Sequence, residues 1–136
     1  MELNLKGIEQ FENVTVRDME LLNELNTLNF PYRVFKKYKF NVKDNEEIEY
    51  EQARRKIMRD IVLGIELPTK DGIEYKRVFL YGNLMIHINT EEKCICYICD
   101  ARQLHIDTSD ENGTSFKISR EKRKELNKII GIGDVE

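Results

Sequence analysis

Two arms of strand-forming residues, Leu84 to Ile88 and Cys94 to Cys99, flank the short charged link Asn89-Thr90-Glu91-Glu92-Lys93. With Thr90 to Lys93 as the loop, Ile88 lies opposite Ile95, Ile86 opposite Tyr97 and Leu84 opposite Cys99, which makes one hairpin face continuously apolar. The other face pairs His87 with Cys96 and Met85 with Ile98 and is also largely apolar. A hairpin of this kind has to be covered on both sides, which puts it in the middle of a sheet. Tyr75 to Tyr81 reads as a third strand, broken from the hairpin by Gly82-Asn83. A shorter pair, Gln103 to Asp107 and Ser115 to Ile118, and a weakly alternating N-terminal segment, Glu2 to Ile8, add further strands.

Helical spacing is clear in three places. Thr15 and Asp18 stand at capping-box spacing before Met19, Leu22, Leu25 and Leu28. From about Glu47 to Leu63, Tyr50, Ala53, Ile57 and Ile61 form a stripe with Met58 and Val62 beside it, acids fill the first turn, and Gly64 supplies the stop. That reading puts Arg54, Arg55, Lys56 and Arg59 on the outer face. Ser119 caps a last helix through Leu126, Ile129 and Ile130. Asn29-Phe30-Pro31 ends the first helix, and Leu67 to Gly72 reads as a turn.

Between the first two helices runs Tyr32-Arg33-Val34-Phe35-Lys36-Lys37-Tyr38-Lys39-Phe40-Asn41-Val42-Lys43, where aromatic and β-branched residues alternate with cations. As a strand it puts Tyr32, Val34, Tyr38, Phe40 and Val42 on one face and Arg33, Lys37, Lys39 and Lys43 on the other. The wet face, with Phe35 and Lys36 breaking the alternation, suits a phosphate backbone and a stacked base. Lysines on an open strand face also serve simply to discourage edge-to-edge pairing.

The element order lacks the regular βαβ alternation of a parallel sheet. The expected fold is α+β: a mainly antiparallel sheet of about five to six strands packed against two to three helices. With no repeat, low-complexity tract or linker, residues 1–136 read as a single globular domain. Usage rich in Lys, Asn, Ile and Glu fits an AT-rich bacterial or phage genome.

Charge limits what such a domain does. The net charge of −3 means that the overall field does not attract polyanions, and any nucleic-acid binding needs a local patch. No apolar run approaches the ~20 residues of a membrane span, and the start has no basic segment followed by an apolar core. A cytoplasmic protein without membrane contact is expected, and its three crowded cysteines fit reduced thiols.

Cys94, Cys96 and Cys99, with His105 beyond them, offer four soft ligands for zinc. Strand alternation, however, points Cys94 and Cys96 one way and Cys99 the other, and the flanking apolar residues suit a core. The His87–Cys96 pairing raises a Cys-His nucleophile, but no third orienting group accompanies it. Phosphate-loop, dinucleotide, zinc-protease and serine-hydrolase motifs do not occur. Neither a metal nor a cofactor is expected, and no catalytic residue is identified.

The remaining chemistry is cationic. Arg33, Phe35, Lys36, Lys37 and Lys39 form the first part of the candidate binding site, and Arg54, Arg55 and Arg59 the second. Arg120, Lys122, Arg123, Lys124 and Lys128 would extend it if the segments neighbour each other.

The order of a charged helix, then Tyr75-Lys76-Arg77-Val78-Phe79-Leu80-Tyr81-Gly82-Asn83, Leu84 to Ile88, a short charged turn and Cys94 to Arg102 resembles the sheet half of RelE-type ribonuclease toxins. The resemblance implies a small antiparallel sheet against helices that cleaves RNA with cationic and aromatic side chains. Arg77, Tyr81 and Arg102 would stand at those positions.

The reading drawn from the residues is a small accessory or regulatory protein that binds a macromolecule, protein or nucleic acid, through a local basic face without catalysis. RelE-like RNA cleavage is the alternative. Self-association into a homo-oligomer through a sheet edge or an apolar helix face is a third reading.

Overall fold

The structure, a computed structural model, describes residues 11–42, 45–68, 76–104 and 119–131. In chain order it contains α1 (Val16–Asn26), α2 (Tyr32–Asn41), α3 (Tyr50–Leu63), β1 (Ile65–Leu67), β2 (Lys76–Tyr81), β3 (Leu84–Asn89), β4 (Cys94–Asp100), a 3-10 turn at Ala101–Leu104 and α4 (Arg120–Ile130). The strands pair antiparallel in the order β1-β2-β3-β4. The class is α+β, with four strands and four α-helices among the described residues. The expected strands at 2–8 and 115–118 lie outside those residues, as does most of that at 103–107. Gln103 belongs to the 3-10 turn instead.

The largest correction concerns residues 32–43, expected as a strand and found as α2 through Asn41. Its buried side chains, Val34, Phe35 and Tyr38, are spaced i, i+1, i+4, which only a helix gathers on one side. Pro31 does not merely end α1. With φ at −61° it caps the start of α2, where a missing N–H leaves no hydrogen bond unmade. Phe30, Phe35 and Tyr50 then pack as an aromatic cluster with ring centroids 5.2–6.3 Å apart. The Tyr50 hydroxyl donates to the Phe30 carbonyl, which fixes the start of α3 against the start of α2.

The other helices form where their spacing indicates. Thr15 accepts from the Asp18 N–H while Asp18 accepts from the Thr15 N–H, closing the capping box. The Ser119 hydroxyl accepts from the Lys122 N–H, and Gly131, at φ 77°, ends α4 in the left-handed conformation that suits glycine. Gly64 is required for space: a Cβ there would lie 2.6 Å from the Leu80 carbonyl oxygen, where α3 passes into β1 against β2. β1 itself, three residues paired with β2, begins just after the α3 stop and takes in Leu67, which had been read as turn.

The hairpin register holds at its loop and fails beyond it. Asn89 pairs with Cys94 and Ile88 with Ile95, but from His87 on the partners move by one: His87 with Tyr97, Ile86 with Ile98, Met85 with Cys99. Cys96 is the extra residue of a β-bulge, and the bulge shifts every later pair. Among the described residues β4 stands at the end of the strand order, hydrogen-bonded to β3. Its start is covered by Asn29, whose N–H donates to Lys93 and whose carbonyl accepts from Ile95. Arg33 caps the next carbonyl, that of Cys96, at 3.3 Å.

Helices and sheet share one core. Phe79, Ile86, Ile95 and Ile98 join Leu22, Ile57, Ile61 and Leu126 in a buried cluster. Leu80, Met85, Cys99 and Ala101 form a second one on the alternate positions of the sheet. α3 is the hub, touching α1, α2, α4 and β2. Its last seven residues, from Ile57 to Leu63, are all buried, two charged ones included. Among the described residues no helix is long and apolar enough to cross a membrane.

Candidate anion-binding face and cleft

α2 carries Arg33, Lys36, Lys37 and Lys39 and no acidic residue. None of these four forms an ion pair with a described residue, in a chain whose other arginines largely do. On the outer side Tyr32, Lys36 and Phe40 follow one another at i, i+4, i+8, with Tyr32 66% and Phe40 65% exposed. Each of the three lysines rests near a ring: Lys36 Nζ lies 5.8 Å from the Tyr32 centroid, Lys39 5.6 Å from Phe40, and Lys37 4.3 Å from the exposed Tyr97 on β4. Phe35 is not available for stacking, since its ring is buried in the aromatic cluster.

The arginines of α3 are placed differently. Arg54 and Arg55 both reach Glu51, at 3.3 and 3.4 Å, and Arg54 also donates to Asn26. Arg59, expected on the outer face, is buried. Its guanidinium donates twice to Asp60 Oδ1, at 3.1 and 2.9 Å, and once to Asn127 Oδ1 at 3.1 Å. On α4, Lys122 pairs with Asp18 at 3.0 Å, and Lys124 and Lys128 stay exposed. Arg59 therefore takes no part in an exterior stripe, and Arg54, Arg55 and Lys122 are each engaged by an acid.

The segments meet inside instead. A cleft of about 680 Å³ opens between α2, α3, α4 and the ends of β2, β3 and β4, and it takes in Lys37 of α2, Lys56 and Arg59 of α3, Arg123 of α4 and Arg102. The two acids lining it among the described residues, Asp60 and Asp100, are each held by a neighbouring arginine, Asp100 by Arg102 at 2.7 Å. Burial pushes the Asp60 carboxyl up to about 6, against the opposing pull of Arg59, Arg123 and Lys56. Burial, then the Asp60 charge, raises the phenols of Tyr38 and Tyr81, so both remain hydroxyl donors at neutral pH. Lys56 donates to Asn45 at 3.2 Å, and its ammonium is lowered by burial and then by Arg59. Sequence spacing did not expose this cleft, because one-sided packing was assumed for α3. The sign that the second half of α3 packs on all sides is the apolar content of Ile57, Met58, Ile61, Val62 and Leu63 on either side of Arg59 and Asp60.

Arg77 lies apart from Tyr81 and Arg102. Four residues along β2 separate it from Tyr81, about 13 Å of strand. Glu66 holds it through two hydrogen bonds of 2.9 Å, with Glu24 at 3.5 Å. It lines a second groove with Arg17 and Glu20, whereas Tyr81 and Arg102 line the cleft. The bulge also separates the suggested Cys-His pair. Cys96 Sγ donates to the His87 backbone carbonyl at 3.4 Å, while the imidazole packs edge-on against Tyr97. Among the described residues no three His, Cys, Asp or Glu side chains gather to hold a metal. His105 lies outside them.

The family model YorE matches residues 28–129, a span that takes in α2, α3, the whole sheet and the lining of the cleft. Comparison with curated proteins and with solved structures found no match.

Proposed function

The chain belongs to the YorE family, and we propose that it works as a binding protein, without catalysis, whose α2 face holds a single-stranded nucleic acid. The observation that carries this reading is the acid-free helix itself: four cations without a carboxylate partner among the described residues, interleaved with the exposed rings of Tyr32 and Phe40 and adjoining Tyr97. Cations on such a face neutralise phosphates, and exposed rings stack bases at about 1–3 kcal/mol each, with little regard to sequence. The negative total charge keeps the rest of the surface from competing for the strand. RNA cleavage by Arg77 with Tyr81 is not adopted, because Arg77 is held by two glutamates in another groove.

Fluorescence anisotropy with a labelled single-stranded oligonucleotide tests the reading. Affinity is expected to fall linearly on a log–log plot against salt, and Tyr32→Ala is expected to weaken binding with the slope unchanged. Binding that ignores ionic strength, or a preference for an acidic polypeptide over the oligonucleotide, would remove nucleic acid as the partner.

A further inference from the structure

The cleft is a separate place from the outer face of α2, and its chemistry is that of a small-molecule site. Ligand pockets commonly enclose about 300–1,000 Å³, and the cleft, at about 680 Å³, lies within that range. Its walls divide the work. Val42, Leu84 and Ile98 give an apolar side, while Lys56, Arg59 and Arg123 converge on the inner end beside the Tyr38 and Tyr81 hydroxyls.

The charge there is unbalanced in one direction. Asp60 is already bound by Arg59, which leaves Lys56 and Arg123 without a carboxylate partner among the described residues. Lys56 is depressed by burial and by Arg59, so an anion placed beside it lowers the energy of both cations. A carboxylate would satisfy one of them. A phosphate, with up to two charges and several acceptor oxygens, can accept from Lys56, from Arg123 and from a phenol at once.

We propose that this cleft binds a small organic phosphate of nucleotide size, its phosphate between Lys56 and Arg123 and its organic body against Val42, Leu84 and Ile98. Lys37 and Arg102, at the mouth, leave room for a second anionic group. The inference does not depend on nucleic-acid binding at α2, since Tyr32, Lys36 and Phe40 take no part in lining the cleft.

Calorimetric titration of the full chain with adenosine 5′-monophosphate, ribose 5-phosphate, inorganic phosphate and adenosine tests it. Saturable binding is expected for the first two, at least about tenfold tighter than for inorganic phosphate, with none for adenosine. Which of the two binds more tightly tells a nucleotide site from a sugar-phosphate site. Arg123→Gln and Lys56→Gln are each expected to weaken binding roughly ten- to hundredfold. Arg123 makes no ion pair with a described residue that its loss would break, so that variant is expected to fold, and circular dichroism checks it. No saturable binding by either organic phosphate, equal affinity for inorganic phosphate, or undiminished binding in both variants would overturn the proposal. A null titration with intact oligonucleotide binding removes this site alone, and the opposite pattern removes only the α2 reading.

Discussion

Asp60 is a carboxylate buried among the helices. In the folded chain it takes up its proton near pH 6 because burial disfavours the carboxylate, whereas its ordinary value is 3.8. The groups around it, Arg59, Arg123, Lys56, Tyr38 and Tyr81, lower that value only in part or, in the case of the phenols, not at all. Between the two pKa values the folded state therefore binds the extra proton. The stability from Asp60 is fully present below 3.8 and is lost as pH rises through about 6. Urea denaturation from about pH 4 to about pH 7 is expected to show this downward contribution in the native chain and not in Asp60→Asn. Arg59→Ala strands a buried carboxylate and is expected to cost about 3–5 kcal/mol at neutral pH, with a smaller loss near pH 4 where Asp60 is uncharged. Equal losses at both pH values would mean that the pair is not coupled in this way. None of this was legible in the sequence. Adjacent Arg and Asp on a helix normally share a solvated face, and here only the packing of three helices and a strand around α3 turned that face inward.

At the scale of elements, what the residue pattern revealed and what it hid have distinct causes. α1, α3 and α4 were readable because cap chemistry and a one-sided apolar stripe agree: Thr15 with Asp18 and Leu22, Gly64 after Leu63, Ser119 before Leu126. α2 was misread because its density of aromatic residues favours a strand, while the feature that decides, burial of adjacent Val34 and Phe35 on the same side, is tertiary. The bulge at Cys96 was hidden for another reason. Tyr97, Ile98 and Cys99 suit either sheet face, so the apolar pattern reads equally well in both registers. The helical state of α2 has a direct test at an exposed position. Lys36→Pro is expected to cost about 3 kcal/mol or more, against about 0.5 kcal/mol or less for Lys36→Ala, measured by urea denaturation. A proline tolerated there would be the behaviour of an edge strand.

Across the whole molecule, charge is sorted rather than evenly mixed. The chain is acidic in total, yet α2 is wholly cationic among its charged residues and the cleft beside it gathers, among the described residues, five cations against two paired carboxylates. Sequence composition singled out the basic segments and placed their meeting on an exterior stripe. In three dimensions Lys37, Lys56 and Arg123 come together in the cleft, and the Glu51-paired Arg54 and Arg55 contribute to neither place. The distinction between partnered and unpartnered cations is therefore what the binding behaviour should follow. The decisive measurement compares the salt slope of oligonucleotide binding for Lys36→Ala/Lys39→Ala with that for Arg55→Ala. Loss of about 0.7 from the slope per lysine, with Arg55→Ala indistinguishable from the native chain, is expected if the α2 face carries the contact. An unchanged slope in the lysine variant, or an equal loss in Arg55→Ala, would contradict it.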